Sequence, residues 1–418
     1  MFRALRHRNF RLLIAGTSLV GLVQPLHFVT QIFWVQDVYP ERQILYTGLL
    51  AGSRGLATLL FSLLGGAFAD RFERRRVLLA CESVSLVLNV FVAILMLSTP
   101  FGEATILGII VLTFFAAATQ AVDLPARQAS LPAVVGMDDL GNAISLNMAA
   151  QQISIPITIP LAAVLAATVG PGELYAGSLV VWAGILPLIA LLDYESRGGV
   201  ERGRSVLGSV ADGLAYIRHH VVIFGAVALV FVMNAVGMPA VANLGVIWMT
   251  EILNVSRAGF ALMALGWGGG AVAGSIFFAR RPELAGRGTT LCLATLVFAI
   301  CTVVFAHSRS IPLTALVNVG LGFSLAASSV SATMIIQQEV SDEMRGRVMG
   351  LFPLTNGIAM LITMPISGIA QGIGLPIVLT VLGWTTLALA AAIVLRLPDV
   401  RRVRPRPVEE YAAAAGGG

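Results

Sequence analysis

The sequence predicts an all-α membrane protein of twelve transmembrane helices, arranged as two pseudo-symmetric six-helix bundles. Three observations predict it: scarce charge, recurring long apolar runs, and a repeat at half the chain length. Of 418 residues, 57% are hydrophobic and only 12% charged, which a water-soluble domain of this size cannot carry without large exposed apolar patches. Each apolar run is long enough to cross a hydrocarbon core of about 30 Å as a helix.

Charged or Pro/Gly-rich breaks place six spans near 11–36, 44–69, 77–98, 104–124, 142–169 and 174–192. Six more follow near 221–250, 258–279, 289–306, 312–333, 348–372 and 376–396. The expected domains are a bundle over 1–192, a polar cytoplasmic linker over 193–220, a second bundle over 221–398 and a disordered tail over 399–418, basic and then Ala/Gly-rich. The basic segment Met1–Arg11 precedes an apolar run that continues to about Gln36 with no A-x-A site, so the first span reads as uncleaved rather than as a signal peptide. Cys81, Cys292 and Cys301 all fall inside apolar runs and read as small core residues.

Charge is informative by position. All 27 basic residues other than His are Arg, and with a cytoplasmic N-terminus 23 of them fall on the cytoplasmic side. Arg42, Arg257 and Arg309 fall outside, and Arg54 lies within a span. The asymmetry supports the span count and the orientation together: a multi-pass protein of the cell (inner) membrane with both termini cytoplasmic. The net charge of +5 therefore marks topology, and nucleic acid is not an expected partner.

A shift of 209 residues sets Asn147-Met-Ala-Ala-Gln-Gln-Ile-Ser-Ile-Pro-Ile-Thr against Asn356-Gly-Ile-Ala-Met-Leu-Ile-Thr-Met-Pro-Ile-Ser. The same shift pairs Gly65 with Gly274, Arg71 with Arg280 and Gly141 with Gly350. A repeat of six spans keeps the same topology in both halves and sets them face to face across an axis along the membrane normal, with a cavity between them.

The loop Gly66-Ala-Phe-Ala-Asp70-Arg71-Phe-Glu73-Arg74-Arg75 resembles the G-x-x-x-D-[RK]-x-G-[RK]-[RK] signature of the major facilitator superfamily, with Glu73 in place of the second Gly. Leu5-Arg-His-Arg-Asn-Phe-Arg-Leu-Leu, Ala69-Asp-Arg-Phe-Glu-Arg-Arg-Arg-Val-Leu-Leu and Asp123-Leu-Pro-Ala-Arg-Gln-Ala-Ser-Leu-Pro are similar to its secretion-transporter branch, which includes enterobactin exporters and macrolide efflux proteins. The resemblance covers essentially the whole chain. It implies the major facilitator fold and proton-driven export of a small organic molecule. Two features depart from antiporters of that superfamily: span four lacks an intramembrane Arg, and span five has Ile159-Pro160 where Gly-Pro is common.

Several residues are candidates for mechanism. Asp70, Arg71, Arg74 and Arg75 are the expected gate, Asp70 facing a helix N-terminus and the arginines pairing with acids of other loops; for the arginines a pure topology signal is the alternative. Asp123 and Arg127 are four apart and pair locally as gate or loop anchor, with Pro125 expected to interrupt the helix between them. Ionisable groups inside a bilayer are expensive and default to function. Arg54 is the clearest of these, with Asp37 or Glu41 as expected partner, in a functional or a structural ion pair. Glu82, near the inner end of span three, is expected to salt-bridge the arginine cluster.

Polar stripes mark the expected substrate cavity. Gln24, His27 and Gln31, at i, i+3 and i+7, share one helix face. His27 is either a proton carrier or a hydrogen-bonded packing residue. Asn147 and Gln151 head a stripe through Ser154 and Thr158, repeated by Asn356, Thr363 and Ser367; interhelical hydrogen bonding is the favoured reading and substrate contact the alternative. Pro25, Pro156, Pro160 and Pro365 are expected to kink their helices.

The function expected is a monomeric secondary exporter of a siderophore, macrolide or similar amphipathic molecule, with protons as coupling ion and the bilayer as its environment. An importer or facilitator of a metabolite is a second reading, and a non-transporting membrane protein or enzyme a third. The five scattered histidines form no metal or nucleophile pattern, and without Lys no phosphate-binding loop can be completed. No catalytic residue, metal or cofactor is expected.

Overall fold

The computed structural model describes residues 3–136, 139–194, 206–341, 344, 348 and 352–404. Among them, twelve helices are long and apolar enough to cross a membrane. These are α1 Arg8–Val38, α2 Gln43–Arg71, α3 Arg74–Ser98, α4 Glu103–Val135, α5 Leu140–Val169 and α6 Pro171–Ala190. They continue with α7 Val221–Ile252, α8 Arg257–Arg280, α9 Gly288–His307, α10 Ile311–Glu339, α11 Phe352–Ile373 and α12 Leu375–Arg396. We call the membrane face at which α1 begins the starting face and the other the opposite face.

Helices are the form that lets each span satisfy its own backbone in hydrocarbon. Hydroxyls in the spans follow the same rule by donating one turn back: Thr17 to the Leu13 carbonyl at 3.0 Å, Ser130 to Ala126 at 2.7 Å and Thr302 to Phe298 at 2.9 Å. Where α5 meets α6 the reversal rests on Gly170, whose φ of 93° favours glycine, followed by Pro171 in the first helical turn.

The chain divides into two compact units. The first holds residues 1–206 with the segments 246–265 and 357–375. Within it α1 packs on α5, α2 and α3 pack on α4, and α6 lies against α1 and α3. Gly48, Gly52 and Gly55, one face of α2 at i, i+4 and i+7, meet Ser367, Met364 and Leu361 of α11. A methyl group at Gly48 would stand 1.6 Å from the Ser367 hydroxyl, and one at Gly55 would stand 2.4 Å from the Leu361 backbone nitrogen. Only glycine permits this approach. Towards the opposite face the Gln371 amide donates to the Glu41 carbonyl at 2.6 Å and its oxygen accepts from the Leu45 N–H at 3.2 Å.

The second unit holds residues 207–245, 266–356 and 376–418. Here α10 packs on α9 and α7, and glycines again set a close crossing: Gly270 and Gly274 of α8 face the Val319 and Phe323 carbonyls of α10, while Gly322 faces the Trp267 carbonyl. The pairing of α8 and α9 with α10 repeats that of α2 and α3 with α4 in the first unit.

Some expectations need correction. Pro125 does not interrupt the chain's fourth span: α4 continues through Pro125 and Pro132 to Val135. The segment expected to begin a disordered tail forms a short helix, Pro398–Arg402, with Val400 packed against Gly225 and Gly288 and the Gly288 N–H donating to the Val403 carbonyl at 3.1 Å. Residues 405–418 of that expected tail lie outside the described residues. Much of α7 is wound as π-helix over Met233–Gly237, Pro239–Asn243 and Trp248–Ile252. Pro239 lacks an N–H, and around it the winding widens to bonds five residues back, as from the Met238 N–H to the Met233 carbonyl and from the Leu244 N–H to the Pro239 carbonyl at 3.0 Å.

The α2–α11 crossing makes a prediction. Gly55→Val should insert and be retained in the membrane but fail to close this contact. Disulfide cross-linking between Leu45→Cys and Gln371→Cys reports it, with high yield expected in the parent and a several-fold lower yield with Gly55→Val. Equal yields would show that the crossing tolerates a side chain.

Candidate functional site

The first unit carries a polar track through an otherwise apolar bundle. Its middle is a network joining five helices. On α1, Gln24 donates to Gln120 of α4, and the Gln120 amide donates to Ser85 of α3 at 3.2 Å. Gln31 donates to Thr113 of α4 at 3.0 Å and accepts from Nη2 of Arg54 on α2 at 2.9 Å. His27 lies between them, its Nε2 2.7 Å from the Ser178 hydroxyl of α6. The ring stacks on Tyr175 at 4.0 Å and lies 5.3 Å from Trp182. The Tyr175 hydroxyl donates to Asn89 of α3, whose amide donates to the Ser85 carbonyl at 2.7 Å.

The shared face of Gln24, His27 and Gln31 is thus real, and it turns inward onto α4 and α6. His27 is buried, sandwiched and hydrogen-bonded, the geometry of a packing residue. Arg54 has neither expected partner. Its guanidinium lies over the Phe28 ring at 5.0 Å and bonds Gln31. Asp37 pairs instead with Arg257 of α8, which also lies over Phe33 at 5.1 Å. The reason is reach: Asp37 is at the end of α1 beside the start of α8, whereas Arg54 is more than two turns deeper along α2.

Nearer the starting face lies a buried charge cluster. Arg127 donates through Nη2 to Glu82 at 2.6 Å and through Nε to Asp123. Their side chains are 3%, 0% and 2% exposed. Glu82 does not meet the loop arginines that its position suggests; it points into the bundle, where Arg127 of the unbroken α4 meets it. One guanidinium thus serves two carboxylates, and Glu82 Oε2 and Asp123 Oδ1 remain buried without a hydrogen-bond partner among the described residues. The methylene of Gly16 on α1 leaves room for the guanidinium, since a Cβ there would stand 3.3 Å from Arg127 Nη1.

The loop arginines differ from expectation as well. Arg74 donates to the Ala129 carbonyl at 2.7 Å and Arg75 to the Ala190 carbonyl, so both tie loop ends to backbone rather than to acids. Arg76 pairs with Glu73 at 2.7 Å on the surface. The side chains of Asp70 and Arg71 lie outside the described residues. At the same face Asp139 accepts from His7 at 2.9 Å and Arg6 at 2.8 Å, anchoring the N-terminal turn to the head of α5. The His7 hydrogen bond and then the Arg6 charge hold the Asp139 carboxyl below the usual carboxylate range.

The stripe on α5 divides. Ser154 meets Gly21 of α1, where a Cβ would stand 2.8 Å from its hydroxyl, and Ser367 meets Gly48, so both serve helix packing. Asn147 is buried, Gln151 half-buried and Asn356 exposed. A shallow groove of about 380 Å³ between α2 and α11, lined by Leu45, Leu49, Leu361, Ile362, Met364 and Pro365, holds no polar side chain and lies apart from the track. Among the described residues no group of three His, Cys, Asp or Glu is placed to hold a metal ion.

Residues not singled out in the sequence complete the track: Ser85, Asn89, Thr113, Gln120, Tyr175 and Ser178. A signal existed. Glu82, Ser85 and Asn89 on α3 stand at i, i+3 and i+7, and Thr113, Gln120, Asp123 and Arg127 on α4 at i, i+7, i+10 and i+14, the same one-face periodicity that marked α1.

Arg127→Gln leaves two buried carboxylates with no cation, a loss of about 3–5 kcal/mol. A markedly lower thermal midpoint in detergent is expected, with partial recovery in the double variant Arg127→Gln, Glu82→Gln. An unchanged midpoint would mean that the cluster is solvated.

Comparison with known proteins agrees with this architecture. Residues 1–413 match the family model described as transmembrane secretion effector. The enterobactin exporter EntS of Escherichia coli is 23% identical over 99% of this chain and 95% of its own. The multidrug efflux pump Tap of Mycolicibacterium fortuitum is 22% identical over 72% of this chain and 75% of its own. Among solved structures, the nucleoside transporter NupG superposes with a TM-score of 0.72 at 12% identity, covering 93% of this chain and 98% of that one. A bacterial homolog of the human lysosomal transporter Spinster gives 0.70 at 14% identity, covering 96% and 99%. With twelve spans, a charge-bearing polar track in the bundle and a match along nearly its whole length, the chain belongs to the transmembrane secretion effector family and is a transporter of the major facilitator type.

Proposed function

We propose that this transporter is a proton-coupled exporter of a small amphipathic organic molecule, working by alternating access between two six-span halves. The observation that carries the reading is the Glu82–Asp123–Arg127 cluster. Two buried carboxylates against one guanidinium leave one negative charge uncompensated in a low-dielectric bundle. A proton balances that charge, and proton binding and release there is a means of coupling the gradient to movement. The arginine asymmetry supports a cytoplasmic starting face. Export is supported by the relatives, one described as an enterobactin exporter and another as a multidrug efflux pump.

The Asp37–Arg257 pair and the glycine face of α2 supply contacts that the opposite-face end of the first unit makes and that an alternating-access cycle breaks. At the starting face the loop from Asp70 to Arg75 is the candidate gate, while the backbone bonds of Arg74 and Arg75 tie it to α4 and α6 of its own half.

The test is accumulation of a panel of fluorescent amphipathic compounds in cells with and without the protein, each with and without an uncoupler. At least one compound should accumulate several-fold less when the protein is present, and the uncoupler should remove the difference. Higher accumulation with the protein would establish import instead. For coupling, Glu82→Gln should reach the membrane and show transport that no longer varies with pH; a parental pH profile in this variant would remove the cluster from the proton path.

A further inference from the structure

The charges inside the first unit are not balanced in the same way. Arg127 is shared by two carboxylates, and Arg257 is paired with Asp37. Arg54 has no carboxylate within salt-bridge distance among the described residues. Its one hydrogen-bond partner there is the neutral amide of Gln31, and its Nε is buried without any partner. A cation held within a membrane span without a counter-charge is costly, and such groups persist where a ligand supplies the missing charge.

The surroundings hold this guanidinium in place rather than neutralising it. Gln31 is itself fixed by Thr113 and offers its oxygen to one Arg54 N–H. Phe28 covers one face of the guanidinium at 5.0 Å. A guanidinium has five N–H donors in a rigid fork, so most remain for a ligand. The geometry suits a planar oxyanion taken bidentately, with Phe28 offering an apolar surface to the body that carries it.

We infer that Arg54 is the recognition point for an organic anion, and that the transported molecule carries a carboxylate or similar oxyanion next to an aromatic or apolar body. This deepens the export reading and rests on it for the direction of movement, but not for binding itself.

Isothermal titration of the purified full-length protein in detergent, with 1-naphthoate and its uncharged isostere 1-naphthamide, separates the two claims. The parent should bind the carboxylate at least about tenfold more tightly than the amide, equivalent to about 1.4 kcal/mol. Arg54→Gln should reduce that preference to within about twofold, and Arg54→Lys, a point charge without the planar fork, should keep part of it. Arg42→Gln, which removes a surface cation of the Arg42–Glu103 pair, should keep it whole. Gel filtration of each variant checks folding. Absence of naphthoate binding, equal affinity for the two probes, or a preference that survives Arg54→Gln overturns the inference and leaves Arg54 a solvated cation only. Because binding is read without transport, a parent that prefers the anion yet never lowers cellular accumulation refutes export alone. One that exports but shows no preference refutes the anion site alone.

Discussion

Arg127 answers to two carboxylates on two helices, and the arrangement of the first unit depends on that grip. Glu82 on α3 and Asp123 on α4 are buried where water cannot screen them, and each is tolerable only because the same guanidinium lies between them. The requirement fixes the rotation of α3 against α4 and keeps α4 helical through Pro125, since Arg127 reaches Asp123 only across an unbroken turn. Gly16 on α1 leaves the guanidinium its room, since a Cβ there would stand 3.3 Å from Arg127 Nη1.

From that fixed rotation the rest of the track follows. With Glu82 inward, Ser85 and Asn89 face inward one and two turns further on; with Arg127 inward, so do Gln120 and Thr113. These groups have to be satisfied in an apolar interior, and they are, by Gln24, Gln31, Tyr175 and one another. The exception is Arg54, held by an amide and an aromatic ring instead of an acid. Two buried charges thus stand open in opposite senses: the cluster holds two carboxylates on one guanidinium, and Arg54 is a cation held without an acid.

Close helix approach is the second constraint. Without a hydrophobic drive between helices in lipid, contact depends on shape. Glycine faces recur where helices cross most closely: on α2 against α11 in the first unit, and between α8 and α10 in the second. A crossing that rests on the absence of side chains, with a few hydrogen bonds and one ion pair at its end, is a contact that can be made and released.

The sequence by itself determined the twelve spans, the repeat of six, the family and the inward face of α1, because hydropathy, arginine placement and helical periodicity are local properties of the chain. It also singled out Arg54, Glu82, Asp123 and Arg127 among its candidate charges, beside Asp37 and the loop from Asp70 to Arg75. What only the tertiary structure decided is who pairs with whom. Arg54 takes Gln31 and not Asp37, Asp37 takes Arg257, and Glu82 takes Arg127 and not the loop cluster. Those choices depend on the depth and rotation of one helix against another, which are set by packing between residues tens to hundreds of positions apart. The docking of the short helix at Pro398–Arg402 belongs to the same class, since it answers to the space over Gly225 and Gly288, which no local pattern describes.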